Sequence, residues 1–110
     1  MSNLPSLDID LFSDDATANP YPAYQQIRDA GPVVWLSRFD VWAISRYDDV
    51  RAALRADGTL LSGKGVAMNE MLNGTGNKNS LVSDGDEHRK LRSAVIKPMM
   101  PKALEDVRRE

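Results

Sequence analysis

The residues best suited to ligand chemistry lie on one predicted helix over 84–97, where His88 and Arg92 stand four positions apart. Together with Leu91 and Val95 they fall on a single face, because side chains three or four positions apart share a face of an α-helix. A histidine and an arginine therefore occupy the stripe that we expect to meet the core. Charged side chains rarely take such a place without a partner.

An arginine in an apolar stripe needs an anion, because an unpaired buried charge costs several kcal/mol. The positions three and four residues from Arg92 hold no acid, so the helix itself does not supply the counter-ion. A guanidinium and an imidazole one turn apart suit a carboxylate or a phosphate. Two sources remain open: an acidic side chain elsewhere in the fold, such as Asp48 or Asp49, or a bound ligand.

The helix that carries this pair is one of several predicted helices separated by polar segments. A first helix is expected to begin with Asn19 as N-cap and Pro20 at the first helical position. Its apolar stripe consists of Pro20, Tyr24 and Ile27, and it ends at Gly31, which a proline follows. The pattern thus predicts a short amphipathic helix.

Two short segments, residues 33–36 and 41–45, are rich in β-branched and aromatic residues and are joined by four residues that suit a turn. We predict a β-hairpin, which is marginal alone and needs another surface to pack on. A second helix is expected over 47–55. The apolar stripe of this second helix consists of Tyr47, Val50 and Leu54.

The helix over 84–97 has a predicted capping pair at its start, because Asp84 is followed three positions later by Glu87. Acids at a helix start usually complement its dipole, so no metal site is predicted there. Prolines end this helix, and Leu104 and Val107 begin another amphipathic pattern. The fold class predicted from these elements is mainly α with a small β-hairpin. Because the last apolar stripe runs to the end of the chain, we expect a segment of a larger domain.

Two stretches show no periodic pattern. Residues 1–18 are polar, and we expect them to form an arm over the surface. Residues 57–83 are mostly Gly, Asn, Ser and Lys, interrupted by a few apolar residues. A loop of this length is uncommon in a compact domain unless it has a function, often as a lid or binding loop. It is therefore either a ligand-covering loop or a segment whose packing partners lie elsewhere.

The composition excludes several classes of function. The chain has 110 residues, of which 42% are apolar and 27% charged, with a net charge of −2, as in ordinary globular proteins. Its 14 basic residues are interleaved with 16 acidic ones, so a nucleic-acid partner is not expected. Cysteine is absent, which excludes disulfides, iron–sulfur clusters and thiol catalysis within these residues. No apolar run approaches the ~20 residues of a membrane span and no signal peptide is evident, so we expect a cytoplasmic protein without membrane contact.

The run Leu-Val-Ser-Asp-Gly-Asp-Glu-His-Arg-Lys-Leu-Arg at 81–92, with Pro-Met-Met-Pro at 98–101, resembles the C-helix region of soluble bacterial cytochromes P450. That family commonly reads Asp-Pro-Pro-Glu-His-x-x-x-Arg, then a short stretch and a Thr/Ser/Met-Pro. The chain departs from this run at Gly85 and Asp86, where two prolines are usual. The departure loosens the helix start and leaves the His and Arg positions intact.

Other parts of the chain also resemble this family. Asn-Pro-Tyr-Pro at 19–22 is similar to the start of its helix A, and residues 31–33 and 41–50 are similar to its first hairpin and helix B. Because these pieces follow in the family's order and spacing, the resemblance covers nearly the whole chain. It implies the N-terminal portion of a single larger cytochrome P450 domain, an α+β fold, from helix A to the start of helix D.

In that family the histidine and the arginine four positions later hydrogen-bond the haem propionates. The resemblance therefore implies that His88 and Arg92 bind heme b (iron protoporphyrin IX), whose propionate is the anion the pair needs. It also implies a haem-thiolate monooxygenase that inserts one oxygen atom from O2 into a small apolar or aromatic organic substrate. The haem-ligand cysteine lies further along in the family, so no catalytic residue is expected here. The alternative is a small stand-alone module that binds an anion or a partner and catalyses nothing.

The resemblance implies two further contact surfaces. Residues 57–83 correspond to the family's B–C loop, which roofs the substrate cavity; the alternative for its apolar residues is ordinary core packing. Those implied to contact substrate are Val66, Met68, Met71, Leu72, Leu81 and Val82. The face of the helix opposite Leu91 and Val95 borders the surface where a small acidic ferredoxin docks in soluble members. The residues implied to face this electron donor are Arg89, Lys90 and Lys97.

Overall fold

Helices and one small sheet make up the regular structure of the chain. In the computed structural model, residues 3–74 and 79–108 are described. The chain divides into two units, residues 1–55 and 56–110. In the described part, the first unit holds β1 Ser6–Leu7, α1 Asp14–Ala18, α2 Tyr21–Ala30, β2 Val34–Leu36, β3 Val41–Ala43 and α3 Tyr47–Ala53. The second holds α4 Glu70–Asn73, α5 Gly85–Ile96, a 3₁₀ turn Lys97–Met99 and α6 Pro101–Arg108.

The predicted hairpin is confirmed. Strands β2 and β3 pair antiparallel, with Trp35 opposite Trp42 and their ring centroids 5.0 Å apart. Asp40 in the connecting turn has a φ of 51°, a left-handed conformation that Asp tolerates better than most residues. The inner face of β2 carries Val34 and Leu36, which are buried to 0% and 2% exposure and form the centre of the core.

Residues 3–18 are not the surface arm that we expected. Strand β1 pairs parallel with β2, and the backbone N–H groups of Trp35 and Ser37 donate to carbonyl oxygens of this segment at 2.8 and 3.1 Å. The alternate residues Leu7, Ile9 and Leu11 pack against the core. The prediction was wrong because the polar character of the segment was considered without its alternation. Acidic residues alternate with these three apolar ones, and this period of two residues is typical of a strand. Residues 1 and 2 of the expected arm lie outside the described residues.

An ion-pair cluster holds this N-terminal segment to the hairpin turn. The guanidinium of Arg38 contacts the carboxylate of Asp8 at 2.9 Å and that of Asp10 at 3.0 Å. The hydrogen bond and the charge of Asp8 raise the pKa of Arg38 above its ordinary value, with a smaller contribution from Asp10. The cluster is solvent-exposed, so it fixes the position of the segment rather than adding much stability.

Helix α2 occupies the predicted place, but its start and its buried stripe differ from the prediction. Asn19 ends α1 instead of capping α2, and Pro20 takes the N-cap position without a side-chain hydrogen bond. Ala23 and Ile27 are buried, whereas Tyr24 is 42% exposed. The buried stripe is therefore one position away from the one that side-chain size suggested.

Helix α3 is confirmed, but its apolar stripe is largely exposed. Tyr47 and Leu54 are 76% and 80% exposed, and Val50 is only half-buried. Propensity and spacing are therefore enough to place this helix, while the burial expected of its apolar face is not observed.

The second unit follows the predicted order of elements. Helix α5 confirms the helix expected over 84–97, and α6 confirms the amphipathic pattern after the prolines. The predicted loop 57–83 contains the short helix α4, and residues 75–78 of that loop lie outside the described residues. Within the described ranges, no helix is both long and apolar enough to cross a membrane.

Candidate functional site

The histidine on α5 is held by the turn that precedes the helix. His88 is half-buried, and its Nδ1 lies 2.6 Å from the backbone carbonyl oxygen of Ser80. Because a carbonyl oxygen only accepts, Nδ1 carries a proton and donates it. The neutral ring then presents Nε2 as an acceptor, and the cationic ring presents a second N–H donor. The ring is thus fixed in place, with one nitrogen left for a further partner.

Arg92 lies one turn further along α5 and is exposed. Among the described residues of its own unit, no carboxylate pairs with its guanidinium. Leu91 beside it is half-buried, and Val95 is 53% exposed. The face therefore combines a cation, an imidazole and apolar side chains, all open to a ligand.

The expected burial of this stripe is wrong for the described structure. Ser83, at 5% exposure, is the one buried residue among those described in the second unit, so this unit has little core of its own. A buried charge is therefore not what calls for an anion here. The exposed guanidinium of Arg92, for which the described residues of its unit provide no carboxylate partner, stands one turn from a fixed imidazole, and the two together suit an anion.

Asp84 does not cap α5 through its side chain, which corrects the predicted capping pair. It occupies the N-cap position, and its backbone carbonyl accepts from the N–H of His88 at 3.2 Å. Its carboxylate instead accepts from the backbone N–H of Ser62 at 2.8 Å and from that of Gly63 at 2.6 Å. The spacing of Asp84 and Glu87 predicted a hydrogen bond within the first turn of the helix. The carboxylate of Asp84 instead binds two amides some twenty residues earlier in the chain.

The apolar residues implied to contact substrate are mostly exposed, so they are not core packing within their unit. Their exposed fractions are 51% for Val66, 45% for Met68, 76% for Met71, 59% for Leu72 and 64% for Leu81, while Val82 is half-buried. The first four lie in the segment over 66–73, whose two ends Asn73 joins by bonding to Ala67. Its side-chain amide accepts from the N–H of Ala67 and donates to the carbonyl of Ala67, each at 2.9 Å.

The three basic residues implied to face an electron donor are all exposed. Arg89 forms an ion pair with Asp86 one turn earlier on α5, so part of its charge is neutralised locally. Lys90 and Lys97 have no such partner among the described residues of their unit. The surface is therefore less basic than the sequence suggested, and its free charge lies on the two lysines.

Ser80, Ser62 and Gly63 belong to this region although their side-chain types did not predict it. All three act through backbone groups, which side-chain type does not reveal. The one sequence feature that indicates this contact is the glycine at position 63, because a Cβ at that position would lie 2.5 Å from Asp84 Oδ2. Within the described ranges, no three histidine or acidic side chains gather as a metal site requires.

No family model matches the chain. Several curated proteins are similar to it, among them cytochrome P450 CYP199A2 of Rhodopseudomonas palustris, 32% identical over 97% of this chain and 27% of that protein. The putative cytochrome P450 123 of Mycobacterium tuberculosis is 26% identical over 94% of the chain and 26% of its own length. The beta-dihydromenaquinone-9 omega-hydroxylase of Mycobacterium tuberculosis is 41% identical over 54% of the chain and 12% of that protein. The chain thus spans about a quarter of the length of the first two relatives.

Proposed function

Since this chain carries the N-terminal portion of a cytochrome P450, we propose that its α5 face holds the haem of a monooxygenase through His88 and Arg92. The observation that carries the proposal is the pair itself: an exposed guanidinium that no carboxylate of the described part of its unit pairs with, and an imidazole fixed by Ser80. The two propionates of heme b are carboxylates, which both groups recognise by charge-assisted hydrogen bonds.

The residues present fit this cofactor in a second respect. Haem is a flat apolar ring with two carboxylates at one edge, and the face of α5 has the same division. Leu91 and Val95 offer apolar contact, while His88 and Arg92 offer hydrogen-bond donors. When bound, the haem supplies the activation of O2 and the insertion of one oxygen atom into a substrate. These residues supply its position and neutralise its carboxylates.

The two groups divide the work of holding a carboxylate. Arg92 would hold one propionate, because a guanidinium matches a carboxylate in its charge and in its paired hydrogen-bond donors. His88 already donates through Nδ1 to Ser80, so Nε2 is the ring atom left to face a propionate.

We assign the exposed apolar residues of the loop to the wall that covers a small apolar or aromatic substrate. Their exposure in a loop with its own internal fixing supports this assignment. The thioethers of Met68 and Met71 suit a wall that adapts to substrates of different shape. The residues so assigned are Val66, Met68, Met71, Leu72, Leu81 and Val82.

The remaining part of the proposal concerns the electron donor. Lys90 and Lys97, with the partly neutralised Arg89, form a basic surface on α5 and the following turn. Such a surface attracts a small acidic ferredoxin and accelerates encounter more than it strengthens binding. The expected cytoplasmic location belongs to the same proposal, because that is where such a donor is reduced.

The test uses the full-length protein that contains these residues. The double variant His88→Ala/Arg92→Ala should be purified with a lower haem-to-protein ratio than the parent, and Arg108→Ala should equal the parent. Haem content is read from the absorption of the extracted haem, and the ferrous carbon-monoxide spectrum reports thiolate ligation. A double variant with the parental haem content would refute the assignment, and a parent without any haem would favour the stand-alone anion-binding module.

A further inference from the structure

The carboxylate of Asp84 joins the two ends of the long loop. Its Oδ1 accepts from the N–H of Ser62 at 2.8 Å, and its Oδ2 accepts from the N–H of Gly63 at 2.6 Å. Each oxygen therefore holds one backbone amide, in the strong class of hydrogen bonds that have an ionised acceptor. Ser62 and Gly63 lie near the start of the loop over 57–83, and Asp84 directly follows its last residue. We call this set of two hydrogen bonds the Asp84 clamp.

The same turn of backbone also fixes the histidine of the proposed haem site. The carbonyl oxygen of Ser80 accepts from His88 Nδ1 at 2.6 Å and from the hydroxyl of the buried Ser83 at 3.3 Å. The carbonyl of Asp84 accepts from the backbone N–H of His88 at 3.2 Å. Asp84 is thus bonded on one side to the start of the loop and on the other to the helix turn that holds His88.

The apolar part of the loop has its own fixing and does not depend on the clamp for its shape. Asn73 bonds both backbone groups of Ala67, and Asn69 caps α4 by accepting from the N–H of Met71 at 2.8 Å. The segment over 66–73 is therefore held in shape by its own hydrogen bonds. The Asp84 clamp determines where this segment lies relative to α5.

From these contacts we propose that Asp84 is a positioning residue for substrate: its carboxylate holds the loop, and with it the apolar wall over 66–72, at a set distance from the helix that binds haem. This inference rests on the proposed function, because it needs the loop to be the substrate wall. Without the clamp, the loop of about twenty residues is no longer held near its start, and it occupies many positions instead of one. Haem binding by His88 and Arg92 does not need the clamp.

The clamp can be opened from either side. In Asp84→Asn, one carboxylate oxygen is replaced by an NH2 group that faces a backbone N–H, so one hydrogen bond is lost and two donors meet. In Gly63→Ala, the new Cβ would lie 2.5 Å from Asp84 Oδ2, which forces the carboxylate to rotate away. Because a side-chain end moves rather than backbone, the fold is expected to persist.

Each variant has a matched control. Asp86→Asn removes the same charge from the first turn of α5, so it has the same effect on the helix dipole but leaves the clamp intact. Gly58→Ala adds the same methyl group earlier in the same loop, where no atom lies within 4 Å of the new Cβ. Neither control residue touches the loop wall or the proposed haem site.

The experiment combines two measurements on the full-length holoprotein. Hydrogen exchange of the amides at 62 and 63 reports the clamp directly, and it should be faster by about tenfold or more in both clamp variants. Optical titration with 4-phenylimidazole reports the apolar wall, and titration with imidazole reports haem access alone. We expect the dissociation constant of 4-phenylimidazole to rise on the order of fivefold in both variants, with imidazole unchanged. Both controls should equal the parent.

The outcomes separate the clamp from the function it serves. Parental amide exchange in Asp84→Asn and Gly63→Ala overturns the clamp, whether or not the protein holds haem. Faster exchange with unchanged 4-phenylimidazole affinity overturns the positioning role. If Asp86→Asn had the same effect, the lost charge would explain the weaker binding, and the positioning role would be overturned as well. A parent without haem overturns the proposed function and with it the positioning role, while exchange still decides the clamp.

Discussion

Replacing Arg92 by alanine in the full-length protein should release haem without weakening the fold. Arg92 is exposed and has no carboxylate partner among the described residues of its unit, so its loss should change stability by less than about 0.5 kcal/mol. Its proposed bond to a propionate is worth more, because hydrogen bonds to charged groups contribute roughly 1.5–3 kcal/mol. At about 1.4 kcal/mol per factor of ten, haem should leave roughly 10- to 150-fold faster.

Arg92→Lys separates the charge from the geometry. Lysine keeps the cation but lacks the planar fork, so it loses the second parallel hydrogen bond to the same carboxylate. We expect haem release about tenfold faster than in the parent, between the parent and the alanine variant. The assay is the transfer of haem to an excess of apomyoglobin, followed by absorption. Urea unfolding of each variant checks that the fold is unchanged.

Two results would refute this reasoning. Haem release at the parental rate in both variants, with unchanged unfolding midpoints, would mean that Arg92 contacts no propionate. Arg51 is an exposed arginine on α3 in the other unit. If Arg51→Ala accelerated haem release equally, the change in net charge would explain the effect of Arg92→Ala. An unfolding midpoint that falls in the haem-free form of Arg92→Ala would assign Arg92 to a structural contact, because weaker haem binding cannot lower the stability of a protein without haem.

Three further predictions address the core, the donor surface and the loop. Leu36→Ala, at a position 2% exposed, should cost about 2–5 kcal/mol, seen as a lower urea midpoint; an unchanged midpoint would contradict the described core. Lys90→Glu and Arg89→Glu should each slow reduction by an acidic ferredoxin at low salt, because each reversal makes this exposed surface two charges more negative; the effect should vanish at high salt, and parental rates at low salt would exclude this docking face. Met71→Ala should change the affinity for 4-phenylimidazole with a normal haem spectrum, whereas unchanged titrations would remove this exposed residue from the substrate wall.

Periodicity was sufficient to locate the helices and the hairpin, and it failed where a contact was distant in sequence. The strand over Ser6–Leu7 was missed because its partner lies across α1 and α2 and its apolar residues alternate with acids. The burial of α2 was assigned to Tyr24 instead of Ala23, because side-chain size suggests a core residue while close packing selects a small one.

The candidate site shows the same contrast between features that helix periodicity predicts and features that depend on contacts distant in sequence. The spacing of His88 and Arg92 on one helix face follows from the sequence alone, because it depends on helix geometry. The local reading of Asp84 as a side-chain cap was wrong, since two amides far away in sequence bind its carboxylate. No pattern of side-chain types reveals that Ser80 holds the histidine, because a backbone carbonyl is the group that acts.

Strand β1 is the first element of its unit to be synthesised, but it cannot pair until β2 follows. Ser6 and Leu7 pair with Trp35 and Leu36, and these two residues leave the ribosome only after α1 and α2. Such pairing between distant parts of a chain raises the contact order and slows closure of the core. Until β2 arrives, the apolar side chains at Leu7, Ile9 and Leu11 have no cover, which favours chaperone binding or self-association of the nascent chain. A tag or fusion partner joined before β1 therefore lies next to these uncovered apolar side chains until β2 has been made.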